Sequence, residues 1–522
     1  VVTVNGMPHA RTRALATAGL AVGAILVLPA CAPVPAPTPD YVTDFGKGGG
    51  AAPGSPEAPK GPEWKASAKD PLAWQDCTNR LASRYGTPPA ANATLQCATL
   101  TVPVGGAQVP LRLSVTRAKV PGTPDAAAPL VLVGGTEFTG QRAVATLASG
   151  DSPLLANRPV VAVERRGIGA SGALGCRTVE DQAVLRSGGD PGPDVGRRIA
   201  AIGDAAQRAA TACGDVYEST IADYTATAAA EDLEALRTAW NVPTLGVLAV
   251  GDGSTTALAY AAQHPKQVAR LVLDSPVRYG GTELQRAEDA ARGTSATVDA
   301  LAAQCGPGCA LGADPAAAIR GIIDDAAAGR LGPFTDVDVR RAVVLTLGIG
   351  AGDRDARISR LATALQGART GDAAPLRALL RSADEALGTD GQFIARCSDA
   401  STKASPDQIA ASARTWGPEF RLGAAAALEL GACAAWPTMP EPPKLSELDV
   451  KSVVATSAAD PLTARTALDT LNGQLTVVGA QPSQVTWGGI GDGALIRSSC
   501  VQKSVIGYLD RLDAPSTRAC PA

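Results

Sequence analysis

Leu248 to Pro265 reads LAVGDGSTTALAYAAQHP. An apolar run, a Gly-Asp-Gly turn and a stretch of small residues ending at His-Pro outline a strand, a tight turn and a helix. Turns of this kind carry the nucleophile in many hydrolases, yet the residue at the tip is Gly251. Further apolar runs bounded by turn residues lie on both sides: PLVLVGG at 129–135, PVVAVERRG at 159–167, TLGVLAVG at 244–251 and ARLVLDS at 269–275. Helical stretches, ATAAAEDLEALRTAW and TTALAYAAQH, separate the last three. Continuous apolar strands alternating with helices predict an α/β fold with a mostly parallel sheet covered on both faces. ATLTVPV (98–104) and VPLRLSVTRA (109–118), split by Gly105-Gly106, add a hairpin-like pair ahead of it. From about 277 to 440 the texture changes to Ala-, Asp- and Arg-rich amphipathic segments such as DPAAAIRGIIDDAAAG, an inserted helical lid. VKSVVATSAADP (450–461) and QLTVVGAQ (474–481) then read as returning strands, and CVQKSVIGYLDRL as a closing helix.

The 522 residues, 45% of them hydrophobic, suffice for a large core, and the length suggests one domain with a big insertion or more than one domain. A formal charge of −3 without a basic block gives no sign of a nucleic-acid partner. Aromatic residues are only 3% of a chain rich in Ala, Gly and Pro, the habit of a GC-rich genome. Arg11 and Arg13 precede the apolar run ALATAGLAVGAILVLPA, which is a secretory signal by its length and flanks. Met7 offers a start inside the numbered chain. Leu28-Pro29-Ala30-Cys31 resembles a bacterial lipobox, with Pro29 unusual in it; Cys31 is then the lipidated first residue of an anchored protein. A plain signal peptide with an incidental cysteine, and a secreted product, is the alternative. The expected organisation is a leader over 1–31, a Pro/Gly-rich tether over 32–68, a core over 69–276, the lid over 277–440 and a second core segment over 441–522. Eleven cysteines less Cys31 leave ten, an even number in an exported chain, which argues for disulfides. Spacing does not determine connectivity; neighbours in order, Cys77–Cys97, Cys176–Cys213, Cys305–Cys309, Cys397–Cys433 and Cys500–Cys520, make sensible local loops. Without a CxxC pair and with two histidines in the whole chain, a zinc site is not expected, nor any cofactor.

GGTEFTG, VERRGIGASG, AYAAQHP followed by LVLDSP, ACAAWP and SAADPLTA, in this order over roughly residues 70–520, resemble the exported α/β-hydrolases of the tripeptidyl and prolyl aminopeptidase family. The resemblance implies an α/β-hydrolase fold with a lid and a Ser, acid and His triad. In that family the nucleophile stands thirteen residues before the histidine of the AYAAQHP segment, which here is Gly251. Ser254, three residues on, is placed to cap or pack a helix. Asp252 is a conceivable carboxylate nucleophile, but it would put Val250 where a small residue is wanted.

The base is also absent by resemblance. His9 belongs to the leader, and His264 closes the helix about 18–20 Å from the tip at 1.5 Å per residue. Where the family carries a Gly-His-Gly setting, this chain has Gly491-Asp492-Gly493. Asp460 matches the family's acid. It is either a loop Asp held by backbone amides or, if it converges with Asp492, one of two carboxyls needing a raised pKa or a cation. The family's glycine-rich oxyanion turn is here Gly134-Gly135-Thr136-Glu137-Phe138-Thr139-Gly140. A carboxylate at Glu137 opposes negative charge developing there unless it faces solvent; Gly135, Thr136, Glu137 and Asp252 make up this oxyanion region. Glu164-Arg165-Arg166-Gly167 matches the family and reads as an ion-paired turn. The expectation is a hydrolase scaffold without its machinery, anchored outside the membrane through Cys31 and binding a peptide, a lipid or an envelope protein. The alternative is an active exported serine hydrolase or aminopeptidase with a non-standard catalytic arrangement.

Overall fold

The computed structural model describes residues 61–522 except 104, 106–109 and 307. The leader, Cys31 and most of the tether therefore lie outside the described residues, as does part of the Gly105-Gly106 turn. Ten strands form one sheet: β1 Gln75–Asp76, β2 Thr94–Val102, β3 Leu111–Lys119, β4 Leu130–Val133, β5 Val160–Val163, β6 Leu245–Val250, β7 Val268–Asp274, β8 Ser452–Ala459, β9 Ser483–Ile490 and β10 Ala519–Cys520. Their order is β1-β2-β3-β5-β4-β6-β7-β8-β9-β10. The first three strands pair antiparallel and β3 is antiparallel to β5; from β5 onward every pair is parallel. This is the mostly parallel sheet expected from the apolar runs.

The pleat explains why those runs are apolar throughout. Leu130, Leu132, Val160 and Ala162 face the helices Gly140–Ala148 and Ser499–Arg511. Val131, Val133, Val161 and Val163 face the helices Ala226–Trp240 and Gly253–Gln263. A strand buried on both sides has no polar alternate to show. The chain runs from β4 to β5 on one side and then returns to β6 on the other side of β4, so the switch point of the sheet opens between the C-terminal ends of β4 and β6. The glycine turn after β4 and the Gly251 turn after β6 meet there.

Two readings of the sequence are corrected. QLTVVGAQ (474–481) is not a strand: Gln474 to Val477 finish the helix Arg465–Val477, which buries Ala467, Leu471 and Leu475 at four-residue spacing and leaves Val477 87% exposed. The strand is the next segment, SQVTWGGI, whose polar alternates and glycines mask it. The tether is also shorter than 32–68. From Gly61 the chain lies on the body: Trp64 sits under the guanidinia of Arg158 and Arg270, 4.3 and 5.4 Å from its ring centre, and Ser67 Oγ donates to the Trp240 carbonyl.

Between β7 and β8 lie the lid helices, from Glu283–Gln304 to Gly423–Glu429. Their apolar cluster also takes in Leu185, Ile199, Ile202, Ala206 and Ala209. The helices Val179–Ser187 and Val195–Tyr217, which come after β5, thus pack with the lid although they precede it by more than sixty residues in the chain. Disulfides join Cys77 to Cys97, Cys176 to Cys213, Cys305 to Cys309, Cys397 to Cys433 and Cys500 to Cys520.

Candidate functional site

Parallel strands deliver their last residues to one edge of the sheet, and the candidate site is built from the loops that leave those strand ends. After β6, Gly251 has φ +57°, donates its N–H to the Asp274 carbonyl at 3.0 Å and accepts from the Ser254 N–H at 3.1 Å, so the chain turns directly into the helix Gly253–Gln263. Glycine adopts that left-handed tip without the strain a side chain would bring. A Cβ at this position would stand 2.9 Å from Asp492 Oδ2. Asp492 thus fills the space that a side chain at the tip would need.

Asp492 lies after β9 in the loop 491–493. Arg497 Nε donates to the Asp492 carbonyl, and the other Arg497 nitrogens donate to Gly348 and Gly350 of the lid. The Asp492 N–H donates to the Gly348 carbonyl at 3.1 Å. Both Asp492 carboxyl oxygens are buried without a hydrogen-bond partner among the described residues. A buried ionised carboxylate without partners is far costlier than a neutral one. Burial first, then the neighbouring Asp460 and Asp274 carboxyls, hold its pKa well above the ordinary carboxylate range.

Asp460, after β8, accepts the Leu462 N–H at 2.9 Å through Oδ1 while Oδ2 has no partner among the described residues. Burial raises its pKa to about 6, although the Leu462 N–H and the Ser275 hydroxyl favour the charged form. The two acids singled out in the sequence are thus brought into one electrostatic cluster, and both are pushed up. The sequence reading missed the third. Asp274, the last residue of β7, is fully buried, takes the N–H groups of Leu495 and Ile496 at 3.0 to 3.2 Å, and is raised to about 7 by desolvation. Ser275 beside it has φ +52° and accepts the Gly493 N–H. The available signal was the Asp-Ser-Pro that ends the β7 run, a polar pair at a strand terminus. No histidine among the described residues is near: His264 Nε2 lies 3.1 Å from Glu231, at the far end of its helix.

The oxyanion region is occupied from within. Asp252, next to the tip, turns its carboxylate across to the loop after β4, where it accepts the Thr136 N–H at 2.9 Å and the Thr136 hydroxyl at 2.7 Å. Gly135 permits this approach, since a Cβ there would lie 1.7 Å from Asp252 Oδ1. The amide that a substrate oxyanion would use is therefore already bonded. The Thr136 hydroxyl also lies 2.7 Å from Glu137 Oε2 and has one proton for two carboxylates. Burial, then Glu137, raises Asp252 to about 7. Glu137 itself turns inward and pairs with Arg396 at 2.9 Å. Ser254 is fully buried, and its Oγ accepts the Val277 N–H, a packing role. The turn after β5 is ion-paired: Arg165 holds Asp399 and Arg166 holds Asp232, both at 2.7 Å. Glu164 accepts the Gly140 and Gln141 N–H groups at the start of the helix Gly140–Ala148, which follows β4.

A cleft of about 280 Å³ lies between this edge and the lid. Its floor is formed by Thr136, Glu137, Asp252 and Thr463; Gly251, Asp460 and Asp492 do not line it. Its walls are charged with both signs, including the Arg278–Asp289 and Arg340–Glu429 pairs. Arg286 also lines it and donates to the Asp399 carbonyl, with no carboxylate partner among the described residues. Among the described residues no group of His, Cys, Asp and Glu is arranged to hold a metal ion.

Comparison with known proteins matches residues 419–520 to the family described as TAP-like protein and residues 150–314 to the alpha/beta hydrolase fold. The serine protease Hip1 of Mycobacterium tuberculosis (strain ATCC 25618 / H37Rv) is 29% identical over 165 residues, and that of Mycobacterium bovis aligns equally. That alignment covers 31% of this chain and 31% of each relative, so the chain spans under a third of the length of the curated relatives it matches. Among solved structures, the esterase RhEst1 from Rhodococcus sp. ECU1013 is 16% identical, covering 79% of this chain and 98% of its own, with a TM-score of 0.37.

Two outcomes are expected from this geometry. Carboxyls raised in the folded state favour folding where they carry protons. That contribution is complete below the ordinary pKa of ~4 and is lost as the pH rises through folded values of about 6 to 7. The unfolding temperature is therefore higher at about pH 5 than at about pH 8, and Asp492→Asn narrows the gap by raising it roughly 1–3 °C at the higher pH only. Gly251→Ala destabilises by about 1–3 kcal/mol, and less when Asp492 is also Ala, which a double-mutant denaturation cycle measures.

Proposed function

We propose that this chain, which matches the TAP-like family over residues 419–520 and the alpha/beta hydrolase fold over residues 150–314, is a non-catalytic member of that family which binds rather than cleaves. It acts outside the cytoplasmic membrane, tethered through a lipid on Cys31, and holds a peptide-like ligand or envelope partner in the cleft under its lid. The observation that carries this reading is the exchange at the switch point. Glycine stands at the elbow tip, a buried carboxyl fills the space in front of it, and Asp252 takes the Thr136 amide. A hydrolase needs a nucleophile, a base and free oxyanion donors at this place together. The five disulfides among the described residues fit an extracytoplasmic setting. Among the described residues no helix is long and apolar enough to cross a membrane. A cleft of mixed charge with one guanidinium lacking a carboxylate suits a ligand that carries a carboxylate of its own, as a peptide does.

The second reading, an active exported serine hydrolase or aminopeptidase, draws on the partial likeness to a serine protease. Ser254 would be its nucleophile, but that hydroxyl is buried, bonded to the Val277 amide and remote from the imidazole of His264.

Purified protein treated with a fluorophosphonate probe is expected to stay unlabelled and to leave aminopeptidase and ester substrates intact. Labelling that disappears in Ser254→Ala overturns the proposal. Gly251→Ser with Asp492→His is expected to remain silent while Asp252 holds the Thr136 amide, and to gain measurable esterase activity once Asp252→Ala is added.

A further inference from the structure

We propose that a second cavity, at the seam between the hydrolase body and the lid, is an anion site built to take a phosphate group. This cavity of about 620 Å³ is separate from the cleft over Asp252. Three arginines line it from three different elements: Arg84 from the helix Thr78–Tyr85, Arg142 from Gly140–Ala148 and Arg360 from Arg354–Thr370. The one acid lining it is Glu385, which is exposed. Among the described residues none of the three guanidinia has a carboxylate within ion-pair distance, whereas the arginines on the walls of the other cleft are mostly paired.

Arg142 is the centre of the argument. Its guanidinium stacks 4.9 Å from the centre of the Tyr85 ring, and that of Arg84 stacks 5.5 Å from the same ring, so two positive charges share one aromatic ring without a counterion among the described residues. Burial is the main force lowering the Arg142 pKa, and Arg84 adds to it. Glu164, the acid whose charge acts on Arg142, has both oxygens bonded to the Gly140 and Gln141 amides. Thr346, in the π-turn Val344–Gly348 of the lid, also lines the cavity, and its hydroxyl is buried without a partner among the described residues. Like charges gathered around a polar hollow are costly unless an anion completes them. Guanidinia supplied by three different elements match the spread oxygens and charge of a phosphate ester better than one planar carboxylate. The phosphate belongs either to a small soluble ester or to a phospholipid headgroup.

The test uses the purified chain with inorganic phosphate, glycerol phosphate and phosphatidylglycerol–phosphatidylcholine vesicles, each against chloride at equal ionic strength. The expected result is a phosphate-dependent rise in unfolding temperature or vesicle co-sedimentation. Either signal should weaken roughly tenfold in Arg360→Ala, vanish in Arg142→Gln and persist in Arg414→Ala, an exposed arginine outside the cavity. Response to the soluble probes assigns a free ester, and response to vesicles alone assigns a headgroup. The proposal fails if neither probe acts, or if Arg414→Ala weakens binding as much as Arg360→Ala does. Should Arg142→Gln not fold, exposed Arg360 decides the matter alone. The outcome is independent of whether the other cleft is catalytic.

Discussion

A parallel sheet ends with main-chain amides and turn glycines converging at its C-terminal edge, and something must bond those amides. In an active hydrolase of this architecture some are left for substrate. In this protein carboxyl groups take them: Asp252 bonds the Thr136 amide, Asp274 those of Leu495 and Ile496, Asp460 that of Leu462, and Glu164 those of Gly140 and Gln141. Each carboxyl gains fixed donors and loses water. Desolvation wins in all four, since every one is raised despite its hydrogen bonds.

Asp492 stands apart because it gains no donor among the described residues. Its place in the structure rests on shape: the missing side chain of Gly251 leaves the hollow that its carboxyl enters, and Arg497 ties its backbone to the lid. The two residues are therefore sterically complementary. A side chain at the tip would collide with Asp492, and retreat of Asp492 would leave a void at the floor of the fold. Bonds from Arg497 and Asp492 to Gly348 and Gly350 bring the lid down beside Gly251 and Asp492, and the cleft lining reaches Asp252 but not these two residues.

Buried charge is divided between the lid and the body. Acids of the lid face arginines of the body across the seam, as in Arg165–Asp399, Arg177–Asp390 and Arg198–Asp336. Such pairs hold register between layers more than they add net stability, because desolvation offsets much of the attraction. Against that background the arginines without acids among the described residues, Arg286 in one cavity and Arg142 in the other, mark where the protein's own charges do not balance.

What the sequence determined by itself is the part that depends on neighbours along the chain. Apolar runs spelled out the core parallel strands, the Gly-Asp-Gly turn its elbow, and the texture change the lid, because each signal repeats within a few residues. The strand Ser483–Ile490 escaped because its polar alternates face outward and its glycines lack side chains, while QLTVV imitated a strand at the end of a helix. Gly251 at the tip of its turn and Asp492 in its loop could be named from the sequence because each is one residue at one place. What surrounds them was not legible. That Asp252 folds back on Thr136, that Asp274 joins Asp460 and Asp492, and that Arg84, Arg142 and Arg360 meet are facts about side chains from turns and helices far apart in sequence. Only the tertiary structure decides them, since burial and the distance between charges exist only once the sheet has brought those turns to one edge and the lid has closed over it.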